Sequence, residues 1–156
     1  MGKIKLIFTR TKWSPISWVI RYSLPRTRFA LGLSSHCYIV SDKDSGYYYE
    51  ADPFKGVRLI HNSEAITNSM LIVRELYYTV SDVDKGCLFL KEQLGKKYDF
   101  SAALGISLNP DRKWDDDSKW YCYELAAGCL SAAGRTDFTN ISHVTEYALI
   151  LTADKI

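Results

Sequence analysis

The segment that most limits the folds open to this chain runs from Ser35 to Ala51. Ser35-His36-Cys37-Tyr38-Ile39-Val40 and Tyr47-Tyr48-Tyr49-Glu50-Ala51 have strand character, and Ser41-Asp42-Lys43-Asp44-Ser45-Gly46 between them is rich in turn formers. Two such runs joined by a short polar segment read as a β-hairpin. Period-two alternation puts His36, Tyr38 and Val40 on one face and Cys37 and Ile39 on the other. Loop length then decides which residues meet. With a turn centred at Lys43, and hence an odd-numbered loop, His36 sits directly opposite Glu50, side chains on one face about 5 Å apart. An even-numbered loop pairs His36 with Ala51 and sends Glu50 to the other side, because a one-residue slip reverses facing.

The rest of the chain supplies partners for this hairpin. Lys3 to Thr9 alternates toward β, Val57-Arg58-Leu59-Ile60 follows a turn at Asp52-Pro53-Phe54-Lys55-Gly56, and Met70 to Leu76 reads as a further strand. Ser14-Pro15 can open a helix through Trp18 and Tyr22, ending before Pro25. Val83, Cys87, Leu88, Leu90 and Leu94 fall at helical spacing between a capping-box-like Ser81-Asp82-Val83-Asp84 and Gly95. Tyr98 to Leu104 reads as a short helix, Ser107 to Lys119 as a polar loop, and an Ala- and Leu-rich helix then runs to Gly134. The segment 142–151 fits helix or strand. The expectation is an α+β fold, an antiparallel β-sheet packed against helices, in one domain over residues 1–156.

Composition narrows the function classes. A net charge of +2, with Lys and Arg scattered rather than clustered, argues against a nucleic-acid partner. Cys37, Cys87, Cys122 and Cys129 form no CxxC pair and no zinc-ribbon spacing, so neither a metal nor a cofactor is expected and reduced thiols are. No run of about 18 apolar residues occurs, so no transmembrane segment is expected. The N-terminus reaches Thr9-Arg10 before a signal-length apolar core develops, and Met1-Gly2 lacks the Ser or Thr of a myristoylation signal. These features imply a cytoplasmic protein, or one delivered to the cell envelope by another route. They leave its oligomeric state open.

One cysteine stands apart. In Lys119-Trp120-Tyr121-Cys122-Tyr123-Glu124-Leu125, Cys122 falls in the first turn of an apolar helix that Ser118 or Asp117 would cap. Unpaired backbone N–H groups and the helix dipole favour a thiolate there, and the same N–H groups can hold an oxyanion. Asp115, Asp116 and Asp117 would oppose the thiolate if they pointed inward, so they are expected to face solvent. A cysteine nucleophile needs a base, and the base an orienting group. His36 and Glu50 on one hairpin face meet that need. His61 and His143 read as structural or exposed. Trp18, Tyr38, Tyr98, Asp99, Tyr121 and Tyr123 are candidates for a substrate cleft, with Asp99 also suited to cap a helix.

This combination resembles the circularly permuted papain-fold hydrolases of the NlpC-like superfamily, whose lipid-modifying relatives include lecithin:retinol acyltransferase. The matching residues are Ile7-Phe8 with Ser17-Trp18-Val19-Ile20, Ser35 to Val40, Tyr49-Glu50-Ala51 with Gly56-Val57, Tyr98-Asp99, and Trp120 to Leu125. They span most of the chain, and His36 precedes Cys122 as the permuted branch requires. The resemblance implies Cys122 as nucleophile, His36 as general base and Glu50 as the group holding the imidazole. It implies a cysteine peptidase, amidase or acyltransferase acting on a peptide, cell-wall or lipid acyl substrate, with a catalytically silent peptide-, glycan- or lipid-binding module as the alternative. Two residues depart from the pattern: Cys37, where a small or aliphatic residue is common, and Tyr123, where the family often has Ser.

Overall fold

A computed structural model describes residues 1–11, 34–44, 46–67, 69–103 and 118–154, without the side chain of His143. The helix expected from Ser14, with Trp18 on it, and the run Asp115-Asp116-Asp117 lie outside the described residues.

The class is α+β. A five-stranded antiparallel sheet is built from β1 (Gly2–Thr11), β2 (His36–Ser41), β3 (Tyr47–Asp52), β4 (Gly56–His61) and β5 (Met70–Val80), in the order β4-β3-β2-β1-β5. Alternation sorts its side chains. Leu6 pairs with Ile39 and Phe8 with Cys37, and these four join Tyr49, Ala51 and Val57 in the main core. Ile7 pairs with Tyr38, and both turn the other way, into a smaller cluster with Ile60 and Ala65.

The main core is closed by two helices, α2 (Val83–Gln93) and α3 (Cys122–Ala132), which follow the short α1 (Asn62–Ala65). Residues Leu125, Ala126, Ala127, Cys129 and Leu130 of α3 are buried, so this helix is apolar nearly all round, as a central helix should be. Gly86 lets α2 approach it closely: a Cβ there would stand 3.1 Å from Ala133 Cβ and 3.3 Å from the Cys129 carbonyl. The N-cap of α2 is Asp82, whose carboxylate accepts the Lys85 N–H, rather than the expected Ser81, because the helix starts one residue later than the capping-box pattern suggested. Segment 142–151 resolves into a 3₁₀ turn (Ile141–His143) and a helix α4 (Glu146–Thr152) capped by Thr145.

A two-stranded parallel pair, β6 (Lys97–Tyr98) and β7 (Lys119–Trp120), sets the start of α3. Tyr98 is therefore extended rather than helical, and residues 100–103 form the helical turn that follows it. Trp120 is fixed by its indole N–H donating to Gln93 Oε1 at 3.1 Å, and its carbonyl accepts the Asp99 N–H at 3.1 Å. Among the described residues, no helix is long and apolar enough to cross a membrane.

Candidate active site

Cys122 is the first residue of α3. The helix cap is Tyr121, not Ser118 or Asp117, because β7 carries extended backbone as far as Trp120 and leaves a single residue for the turn into the helix. Tyr121 supplies no side-chain cap to the helix. Instead Glu124 reaches back to the Tyr121 N–H at 3.5 Å, half of a capping box. Cys122 thus stays in the first turn, where the N–H groups of a helix lack intrahelical carbonyl partners.

His36 opens β2, and its ring meets Glu50 on the neighbouring strand with 2.5 Å between Nε2 and Oε2. The register differs from the expected one. Ile39 pairs with Tyr49, and the loop is five residues, Asp42 to Gly46, centred on Asp44 instead of Lys43. Continuing that register puts Asp52 opposite His36 and Tyr38 opposite Glu50. The odd loop preserves facing, so His36 and Glu50 share a face and meet diagonally, a separation that two long side chains can bridge.

Glu50 has a second partner. β3 and β4 pair Glu50 with Arg58, whose Nε donates to Glu50 Oε1 at 2.7 Å, with Nη2 of the same guanidinium 3.5 Å from Asp52 Oδ2. Arg58 was not among the residues singled out from sequence. The signal for it was present: Asp52 Oδ1 accepts the Phe54 and Lys55 N–H groups, closing a three-residue turn that pairs Asp52 with Gly56. Counting two residues back from Asp52 and two forward from Gly56 gives Glu50 and Arg58.

Cys122 and Glu50 are the two neighbours whose side chains raise the His36 pKa. Burial is the largest influence on the His36 pKa and lowers it, but hydrogen bonds with Cys122 and Glu50 and the charges of both outweigh burial, so the pKa is pushed up to about 10. Since Nε2 is turned to a carboxylate that only accepts, it carries the proton. With the pKa up to about 10, the ring also holds its second proton, on Nδ1, at neutral pH. Cys122 is 2% exposed, Glu50 side chain 2% and His36 side chain 13%, so the line Cys122, His36, Glu50, Arg58 runs from a buried sulfur to a half-buried guanidinium.

The other sequence candidates are placed as follows. Tyr98 is buried with its ring 4.9 Å from Phe100. Asp99 caps the turn at 100–103, its Oδ1 accepting the Ala102 N–H at 2.8 Å and the Ser101 hydroxyl at 2.6 Å. Tyr38 is buried, its ring edge-on to His36 at 4.7 Å and its hydroxyl donating to the Ala65 carbonyl at 2.7 Å. The Tyr121 hydroxyl donates to the Val144 carbonyl at 2.6 Å, and the Tyr123 hydroxyl pairs with Ser34 Oγ at 2.8 Å. Tyr38, Tyr121 and Tyr123 use their polar ends inside the protein. His61 is exposed and caps α1 through Nδ1. All four cysteines are buried and free. Among the described residues, no group of three His, Cys, Asp or Glu could hold a metal ion.

Comparison with protein-family models, with curated proteins and with solved structures finds no match to this chain.

Proposed function

We propose that this chain is a thiol hydrolase or acyltransferase of the permuted papain-like, NlpC-like type, acting on an amide or ester through an acyl group carried on Cys122. One observation carries the reading: a buried cysteine at a helix N-terminus engages a histidine whose far nitrogen is held by a carboxylate, itself held by an arginine. A cysteine buried only as a small hydrophobe has no need of that arrangement.

In the reaction, His36 Nδ1 takes the thiol proton and the sulfur attacks the substrate carbonyl carbon. The developing oxyanion is held by the N–H of Cys122. Collapse of the tetrahedral species expels the amine or alcohol, which takes the proton back from the His36 imidazolium. Water or a second nucleophile then gives a proton to His36 and attacks the thioester, and collapse breaks the C–S bond, releasing the acyl group while the proton passes from His36 back to the Cys122 sulfur. Glu50 stabilises the imidazolium in both halves, and Arg58 holds the Glu50 carboxylate in orientation. Cell-wall peptides and lipid acyl groups are the substrate classes we propose.

The test is alkylation by iodoacetamide across pH, with mass spectrometry to separate Cys122 from the other three cysteines. At pH 6 the wild-type Cys122 is expected to react at least about tenfold faster than an unperturbed thiol, which is almost wholly protonated there. His36→Ala should bring it down to the ordinary rate. A Cys122 that reacts no faster than a free thiol, and does not respond to His36→Ala, sinks the proposal.

A further inference from the structure

Tyr123 departs from the family pattern next to the proposed nucleophile, and its hydroxyl is spent on an internal partner. It lies 2.8 Å from Ser34 Oγ and donates also toward the Ser34 carbonyl at 3.3 Å. Ser34, fully buried, sends its own N–H to Glu146 Oε2 at 3.0 Å. Tyr123 is the residue after Cys122, and Ser34 stands two before His36. The three side chains therefore tie the start of α3, the entry to β2 and the first residue of α4 into one buried knot.

Glu146 is the unusual member. It is 4% exposed, and among the described residues its Oε1 has no hydrogen-bond partner. A half-satisfied buried carboxylate destabilises a fold by an amount a nonpolar residue would not, so its presence at this spot calls for a reason. Burial, the largest influence, raises the Glu146 pKa, while the Ser34 N–H and hydroxyl and the charge of Arg74 lower it. The groups that face this carboxylate are thus Ser34, Tyr123, Cys37 and Arg74. The bond to the Ser34 N–H holds the backbone two residues ahead of His36, and the next N–H, of Ser35, pairs with the Thr9 carbonyl at 2.9 Å.

We infer that Ser34, Tyr123 and Glu146 form a positioning clasp that sets the separation and angle between Cys122 and the His36 ring. The inference rests on the proposed thiol chemistry for its consequence, but the clasp itself has a reading that does not need it. Tyr123→Phe removes one hydroxyl and little volume. It should keep the melting temperature within a few degrees, slow Cys122 alkylation at pH 6 by about tenfold, the worth of one buried hydrogen bond, and move the His36 imidazole titration followed by NMR to lower pH. Glu146→Gln keeps an acceptor for the Ser34 N–H and should leave both readouts near wild type, whereas Glu146→Leu should disturb both. If Glu146→Leu fails to fold, Tyr123→Phe and Ser34→Ala decide the matter. Folded variants of Tyr123 and Ser34 with a wild-type alkylation profile and a wild-type His36 titration would overturn the clasp. A wild-type Cys122 with free-thiol reactivity, together with a His36 titration that still shifts in Tyr123→Phe, would instead overturn the enzymatic reading and leave the clasp standing.

Discussion

Glu50 has to satisfy two neighbours with two oxygens, Oε1 accepting from Arg58 and Oε2 from His36. A glutamine in its place has one acceptor and one donor end. The guanidinium, always charged, claims the carbonyl, and the amide NH₂ is turned to His36 Nε2. That nitrogen must then accept, so the proton moves to Nδ1 and the ring can no longer take one from sulfur. Glu50→Gln is therefore expected to act through the wrong tautomer rather than through lost packing, lowering catalytic turnover by about 10²- to 10⁴-fold once a substrate is in hand. The same variant should return Cys122 alkylation at pH 6 to the free-thiol rate, while Arg58 and the fold stay in place. His36 also leaves a mark on stability. Its folded pKa, up to about 10, lies above the ordinary 6.5, so the folded state keeps a proton that the unfolded chain releases. This contribution is full below about pH 6.5 and is lost as pH rises toward 10. Buried thiols and phenols with raised pKa, such as Cys37 and Tyr121, act with the same sign but only from about pH 8.5 upward. Urea unfolding between pH 6.5 and 8 isolates the histidine: stability should fall with pH in the wild type and lose that slope in His36→Gln. An unchanged slope in the variant would show that the proton is held elsewhere.

At the level of elements, the turn between β3 and β4 fixes the Glu50 and Arg58 pairing, and Gly56 fixes the turn. It has φ +74°, where L side chains are strained, and a Cβ there would lie 2.2 Å from the Lys96 carbonyl oxygen. The backbone cannot retreat freely, because Val57 donates to that carbonyl at 2.8 Å and Gly95 donates to the Val57 carbonyl at 2.9 Å. Gly56→Ala should cost about 2–4 kcal/mol in urea unfolding, combining left-handed strain with a lost hydrogen bond. It should also slow Cys122 alkylation, since Glu50 rides on the same hairpin. These turns explain how far the sequence could be read. The 35–51 hairpin was legible in type and in facing, because alternation determines parity. Its register was not: Asp42 to Gly46 offers several turn formers, and centring on Asp44 rather than Lys43 shifts the partner of His36 by two residues without reversing a face. The start of α3 was legible to within the first turn, but its cap was misassigned. Two-residue strands such as β7 have no period to detect, and only their pairing with β6 reveals that Lys119 and Trp120 are extended. Arg58 lay within reach of a count from the Asp52 turn, whereas the Ser34, Tyr123 and Glu146 contacts join residues 89 and 112 positions apart and carry no local pattern.

Across the whole molecule, the sheet carries the proposed site at one end and a hydrogen-bonded cluster at the other. β1 pairs Thr9 with His36 at one end and Gly2 with Val80 at the other, seven residues or about 24 Å away. At the far end the chain beyond α4 folds onto β5. The Asp154 N–H donates to the Tyr77 carbonyl at 3.0 Å, its carboxylate accepts the Thr79 N–H, and Tyr78 donates to the Leu149 carbonyl. Arg135 gathers these parts. Its guanidinium donates to Asp154 Oδ1 at 2.9 Å, the Thr152 carbonyl at 2.5 Å, the Thr79 carbonyl at 3.3 Å and Asp137 Oδ2 at 2.5 Å, and it lies over the Tyr78 ring. Arg135→Ala would strip partners from two carboxylates and two carbonyls at once, all of them partly open to water, so the cost should be about 2–3 kcal/mol. Hydrogen exchange should rise at Tyr77 to Val80 and in α4. If the two ends are independent, Cys122 alkylation at temperatures well below the melting point should keep its wild-type rate and pH profile in this variant, even though stability has fallen as far as in Gly56→Ala. Slowed alkylation in both variants would mean that Cys122 reactivity reports global stability, and the fast thiol could then no longer be attributed to the local line of His36, Glu50 and Arg58.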